Sequence, residues 1–196
     1  MMKIEKILTT VVLIAIIFTG CKKDKNNEES LSNYVTYNGT KYAVDKGILE
    51  NFGQFEEGGA YNLDLYLVSN GITFLESNNE ITGVSGQGHG IYFEMYTSGP
   101  TQLDNGTYNY DYWSETASTF DYGWVNINYD ASTNIAEIDQ DIEGGTVVVT
   151  KTGDVYEITI NCTDEDGKSV TGYFKGTLKL YQSSYTKSTK ADKSKF

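Results

Sequence analysis

YVTYNGTKYAV, residues 34–44, alternates its side chains with a period of two on either side of an Asn-Gly pair. That period is the mark of a half-buried β-strand. Two such runs joined by Asn-Gly give the strongest short-range hairpin signal, because both central residues of a type I′ turn need positive φ. Asn70-Gly71 separates YNLDLYLVS (61–69) from ITFLE (72–76) in the same way. Outward from these two joints the period recurs in IYFEMYTS (91–98), TYNYDY (107–112) and TFDYGWVNINY (119–129). It continues in TVVVT (146–150), VYEITINCT (155–163) and SVTGYFKGTLKLY (169–181). ILENFGQF (48–55) and IAEIDQDIE (135–143) also read as strands, and no apolar stripe of helical period is long enough to predict a helix. EEGG (56–59), DNG (104–106), ASTN after Asp130, TGD (152–154) and DEDGK (164–168) supply the other turns.

Joints this short make consecutive strands antiparallel neighbours, since a parallel crossover needs about a dozen residues or more. The expectation is one all-β domain over residues 34–181, an antiparallel meander closed into a barrel or flattened barrel. A two-sheet β-sandwich is the other arrangement that would protect the sheet edges.

The chain ahead of this domain has another character. Lys3 and Lys6 form a positive head, and ILTTVVLIAIIF (7–18) is apolar but shorter than the roughly 20 residues a spanning helix needs. A charged head, a short apolar core and small residues before a cut describe a secretory signal. The ending Phe18-Thr19-Gly20-Cys21 resembles the lipobox of bacterial lipoproteins, with Phe18 where that pattern prefers Leu. The resemblance implies a signal peptide over residues 1–20 and a Cys21 that is diacylated on sulfur and becomes the new N-terminus. Two or more acyl chains make a stable anchor where one holds only marginally. KKDKNNEESLSN (22–33) then reads as a solvated, lipidated tether. The run CKKDKNNEE is similar to the charged leaders of Bacteroidota surface lipoproteins, which implies the outer membrane and an outward-facing domain. GGTVVVTKTGDVYEITINCTDEDGKSVTGYFKGTLKL (144–180) resembles the last strands of uncharacterised Bacteroidota lipoproteins with lipocalin-like or calycin-like β domains. No functional residues come with that likeness. Residues 182–196, Lys-rich and polar, read as a disordered tail.

Composition narrows the partners. The chain has 27 acidic residues against 15 basic ones and a net charge of −12, and all 15 basic residues are Lys. Without Arg it lacks the planar fork that reads phosphate or guanine, and its charge repels nucleic acid. Once Cys21 is acylated, Cys162 is the only thiol left, so no intramolecular disulfide can form. Cys162 shares a face with Tyr156, Ile158 and Ile160 and reads as a buried small hydrophobe.

Candidate sites are few. His89, the only histidine, lies in SGQGHG (85–90), which reads as a glycine-rich surface loop or a bulge-rich rim. No motif calls for a metal or cofactor. Glu137, Asp139, Asp141 and Glu143 alternate along one side of a strand, but same-face neighbours stand about 6.6–7 Å apart, too far for all four to clasp one cation. They read as a solvated face. DEDGK lacks the spacing of a calcium loop and reads as a turn. The aromatic residues form the stronger set. Tyr108, Tyr110 and Tyr112 share a face, with Trp113 just beyond, and Tyr122 and Trp124 lie opposite a face of Val125, Ile127 and Tyr129. Flat rings with polar tips suit a sugar face or an amphipathic pocket. The expectation is a membrane-anchored, non-catalytic module binding a glycan or small amphipathic ligand. A carboxylate-based hydrolase of envelope or dietary polymers and a structural accessory protein remain as other readings; the chain has no G-x-S-x-G nucleophile motif.

Overall fold

The computed structural model describes residues 32–54 and 56–184. Cys21, the signal segment, most of the tether and most of the C-terminal tail lie outside them. The strands are β1 (Tyr34–Tyr37), β2 (Thr40–Ala43), β3 (Lys46–Gln54), β4 (Tyr61–Val68), β5 (Ile72–Ser77) and β6 (Glu80–Thr97). They continue with β7 (Gly106–Tyr110), β8 (Thr119–Asp130), β9 (Ile138–Thr152), β10 (Val155–Asp164), β11 (Ser169–Gly176) and β12 (Leu178–Gln182). Strands take 69% of the described residues and no helix occurs among them.

Eleven strands form one strongly curled sheet, a half-barrel, in the order β12-β3-β4-β6-β8-β7-β9-β10-β11-β1-β2, with β5 attached to β6. This order corrects the expected meander. β3 pairs with β12 and β7 with β8 in parallel, and β2 does not pair with β3. The Asn38-Gly39 hairpin forms with φ values of 45° and 87° at its two residues, and Tyr37 faces Thr40 across it. Asn70-Gly71 makes no hairpin. Neither residue takes positive φ, Ile72 N–H closes a turn on Ser69 O (3.1 Å), and β4 and β5 follow one another along the same partner, β6. The segment SVTGYFKGTLKLY likewise changes partner at Thr177, pairing with β1 before it and with β3 after it. IAEIDQDIE and TVVVT belong largely to one strand, β9.

The faces follow the alternation. In β10 every second residue is buried, which puts Tyr156, Ile158, Ile160 and Cys162 inward. Val35, Leu49, Leu63, Leu65, Phe93, Val125, Val147 and Phe174 join them in one cluster. Only the concave side of a curled sheet lets strands so far apart in order share a core. Each such side chain contributes about 1.5–3 kcal/mol by leaving water.

β4 departs from the alternation, since seven of its eight residues are buried. The last eight residues of β6 are also all buried. Both faces of the sheet are therefore covered here, and a second cluster of Ile48, Tyr66, Tyr92, Trp124 and Tyr181 occupies the outer one. Its cover is the hairpin of β5 with the N-terminal half of β6, whose Phe74 and Ile81 pack against it. The hairpin tip reaches the sheet's far strand, where Gln182 N–H donates to Asn79 O (3.1 Å) and Lys179 pairs with Glu76.

The SGQGHG segment makes this crossing possible. Of the two expected forms, a surface loop or a bulge-rich rim, it is not the loop: the segment is strand, part of the 18-residue β6, with a register shift between Gly88 and Gly90. Gly86 has φ +93°, and a Cβ there would stand 2.1 Å from Gly71 O, so only glycine lets the two backbones cross so closely.

Candidate functional site

The roof and the outer face enclose a cleft of about 210 Å³. Its floor comes from β4, β6 and β8: Tyr66, Val68, Gly90, Trp124 and Asn126. Ile72, Phe74 and Val84 of the β5–β6 hairpin form the roof. Tyr129, Asn134, Ala136 and Asp139, at and beside the β8–β9 turn, close one side. The cross-strand register explains the floor. Ile48, Tyr66, Tyr92 and Trp124 face one another in a row across β3, β4, β6 and β8, and Lys46, Val68, Gly90, Asn126 and Asp139 form the next row. Gly90 keeps the second row low, since a Cβ there would stand 3.3 Å from Val68 Cγ1 and 3.6 Å from Trp124 Cζ3.

Trp124 stacks on Tyr92, with ring centroids 5.4 Å apart and planes 20° from parallel, and Tyr92 meets Tyr66 at 4.8 Å. On the far side of this aromatic row a third row crosses the sheet, in which Glu50 faces Asp64 and Asp64 faces Glu94. Tyr92 Oη donates to Asp64 Oδ2 at 2.6 Å, Asn62 Nδ2 to Asp64 Oδ1 at 3.1 Å, and Tyr96 Oη to Glu94 Oε1 at 3.2 Å. Burial first, and the Asp64 carboxylate second, push the Tyr66 and Tyr92 phenols well above their ordinary pKa, so both remain hydrogen-bond donors.

His89 stands at a β-bulge where it alone opposes two residues of β8, Ile127 and Asn128. Its Nδ1 accepts from Asn128 N–H (3.2 Å), which leaves the ring proton on Nε2, and its ring lies against Tyr42 at 4.9 Å. Burial lowers its pKa, so the imidazole is neutral at pH 7. The same bulge turns Asn128 to φ 54° and brings Tyr129 to the cleft, the side opposite that of Val125 and Ile127. That corrects the expected face for Tyr129.

The six expected aromatic residues do not form one site. Tyr108 is fully buried in the concave core, where its hydroxyl accepts from Asp104 N–H (2.7 Å) and burial raises its pKa to about 12. Tyr110 is half-buried against Phe120. Tyr112 and Trp113 lie in the loop after β7, edge to face at 4.8 Å, and Trp113 is 79% exposed. Tyr122 and Trp124 share the outer face, Tyr122 donating to Asp141 Oδ1 (3.0 Å). Trp124 is only 8% exposed because the hairpin covers it, so the face opposite Val125 is a roofed one and not an open one.

Tyr66, Tyr92, Phe74 and His89 were not among the aromatic candidates. A signal for two of them was present. YNLDLYLVS sets Asn62, Asp64 and Tyr66 against Leu63, Leu65 and Leu67, and IYFEMYTS sets Tyr92, Glu94 and Tyr96 against Ile91, Phe93 and Met95. This is the same polar-aromatic face that Tyr122 and Trp124 present.

The acidic stripe divides as well. Glu137 accepts from Asn128 Nδ2 (2.6 Å), Asp141 from Tyr122, and Asp139 lines the cleft. Among the described residues no group of three or more His, Cys, Asp or Glu side chains is arranged to hold a metal ion. Cys162 is buried, its thiol is pushed up to about 12 by burial, and it donates to Thr146 O. No protein-family model matches the chain, and neither a curated protein nor a solved structure shows significant similarity to it.

Proposed function

We propose that this chain is a lipid-anchored cell-envelope protein, held in the outer membrane through Cys21, whose β domain is a non-catalytic binding module. The observation that carries the binding reading is the roofed cleft, apolar along Trp124, Tyr66, Phe74, Ile72 and Val84 and polar at Asn126, Asn134 and Asp139. A few polar groups converging on an apolar concavity are the usual makeup of a ligand site. Drug-sized ligands fill roughly 300–1,000 Å³, so about 210 Å³ suits a small amphipathic molecule with one ring or a short chain better than a stretch of glycan. The reading extends to closure of the half-barrel. Two residues link β2 to β3 and one links β11 to β12, and both links join opposite ends of the sheet order, which supports a barrel whose margins meet there.

A fluorescence titration of the full chain in non-ionic detergent, against small amphiphiles and a glycan panel, tests the binding reading. Saturable change in tryptophan emission with a single-ring amphiphile is expected, and silence across both panels overturns it. Cys21→Ser is expected to release the protein from the membrane fraction, and its retention there would overturn the anchor.

A hydrolase reading has one observation in its favour, the row Glu50–Asp64–Glu94 across three neighbouring strands. Paired carboxylates are the groups glycoside hydrolysis needs. Release of reducing ends from a polysaccharide panel, lost in Asp64→Asn, is the result that would replace the binding reading.

A further inference from the structure

We propose that the roofed cleft selects a cationic amphiphile, an organic ammonium carrying one aromatic ring or a short alkyl chain. This rests on the cleft being a binding site and adds which charge it accepts.

Among the described residues, those at the polar end of the cleft are acceptors and neutral groups. Asp139 brings a carboxylate, and Asn126 and Asn134 bring amides. Among the described residues no lysine lines the cleft. Lys46, in the same cross-strand row as Val68, Gly90, Asn126 and Asp139, stands four strands from Asp139. Its ammonium is engaged by backbone, donating to Asn70 O (3.3 Å) and to Ile72 O.

The surroundings reinforce the sign. Asp141 follows Asp139 on the same side of β9 and takes the Tyr122 hydroxyl. The Tyr122 phenol is raised by burial first and then by Asp141, Asp139 and Glu94, which marks a negative potential along this face. An anionic ligand would meet this field in a partly dry site, where unit charges interact several-fold more strongly than in water. A cation would gain from it.

The aromatic wall favours the same ligand. An ammonium within about 6 Å of a ring face is attracted by the ring quadrupole, most strongly by Trp. Trp124 and Asp139 both line the cleft, and their strands are direct neighbours, with Trp124 opposite Asp141 and Asn126 opposite Asp139. The Asn126 amide satisfies both groups when its nitrogen is turned to Asp139 Oδ1, 2.8 Å away, and in that orientation it holds the carboxylate in place. A ligand ring on Trp124 and Phe74 therefore has its head group directed to Asp139.

Three probes of one shape test the charge: 2-phenylethylammonium, 2-phenylethanol and phenylacetate, titrated calorimetrically against the full chain in non-ionic detergent. The ammonium is expected to bind about tenfold or more tighter than the alcohol, and the carboxylate weakest. Asp139→Asn should bring the ammonium's affinity down to that of the alcohol. Raising salt on the unaltered protein should shrink the ammonium's advantage, which tests the charge without any substitution. Equal affinity for ammonium and alcohol, or an advantage indifferent to salt, would overturn the charge selectivity while leaving the cleft as a site. Failure of all three probes to bind would overturn both.

Discussion

Trp124 on β8 stacks against Tyr92 on β6, its register partner, with centroids 5.4 Å apart and planes 20° from parallel. Neither ring belongs to the concave core; both lie on the outer face under the β5–β6 hairpin. The pair therefore forms part of the surface on which Phe74 and Ile81 of the roof rest.

Trp124→Ala removes the largest side chain of the outer cluster. The stack is lost, and Phe74 loses part of the floor on which the roof rests. Buried aromatic truncations cost about 3–5 kcal/mol, and the cleft beside Trp124 places this one toward the lower end. Urea denaturation should show the lowered midpoint. In Trp113→Phe the remaining emission should be blue-shifted and poorly quenched by iodide, because Trp124 is 8% exposed where Trp113 is 79%.

Much of this was legible in advance. Period two named every strand's location except the first half of β6, and Asn38-Gly39 named its turn. What it could not give was partner choice. β4 and β5 carry the alternation and the Asn-Gly joint of a hairpin, yet both pair with β6, because a longer strand offers each a complete ladder and Gly86 permits the backbones to cross. Which face is buried was also decided at long range. Val125 and Ile127 go to the concave core as their aliphatic character requires, while Trp124 is covered by residues 72–84, a segment whose return over the sheet leaves no mark in the local pattern.

His89 should make stability depend on pH. Its folded pKa lies below the ordinary histidine value, through burial, so the folded state favours the neutral ring that accepts from Asn128 N–H. A depressed histidine contributes stability above its unfolded pKa of about 6.5 and loses it as pH falls toward the folded value. Melting temperature is expected to decline from pH 7 to pH 5.5, and His89→Gln should flatten that part of the decline. A variant that follows the parent throughout this range would assign the decline to other groups.

Gly90→Val should close the cleft while keeping the strand. The glycine lies in a strand without positive φ, and its Cβ would meet two side-chain carbons, Val68 Cγ1 at 3.3 Å and Trp124 Cζ3 at 3.6 Å, and the backbone only at an ordinary contact distance, Leu67 O at 3.7 Å. A β-branched residue suits a central strand, so the cost is local crowding of about 1–3 kcal/mol, with no clash against backbone in the way. The added methyls occupy the floor between Tyr66 and Asn126. A folded variant with undiminished affinity for a cleft ligand would show that the ligand sits elsewhere.

Asp164 supports the β10–β11 turn, beside Ile142 of β9. The DEDGK turn closes on this one carboxylate: Oδ1 accepts from Asp166 N–H (3.0 Å) and Lys168 N–H (2.7 Å), and Oδ2 from Tyr37 Oη (2.7 Å). Asp164 is buried, so its removal leaves donors that water reaches poorly, and Tyr37 loses the bond that links β1 to the β10–β11 turn. Bonds to a charged acceptor are worth about 1.5–3 kcal/mol net each, and the losses overlap because the turn relaxes as a unit. Asp164→Ala is expected to destabilise by about 2–4 kcal/mol, and Asp164→Asn, which keeps one acceptor oxygen, by less. Tyr37→Phe should cost about 1.5–3 kcal/mol in the parent and almost nothing in Asp164→Ala. A double-mutant cycle by chemical denaturation reads this coupling directly, and additive costs would mean that the Tyr37–Asp164 bond contributes nothing to holding β1 against the turn.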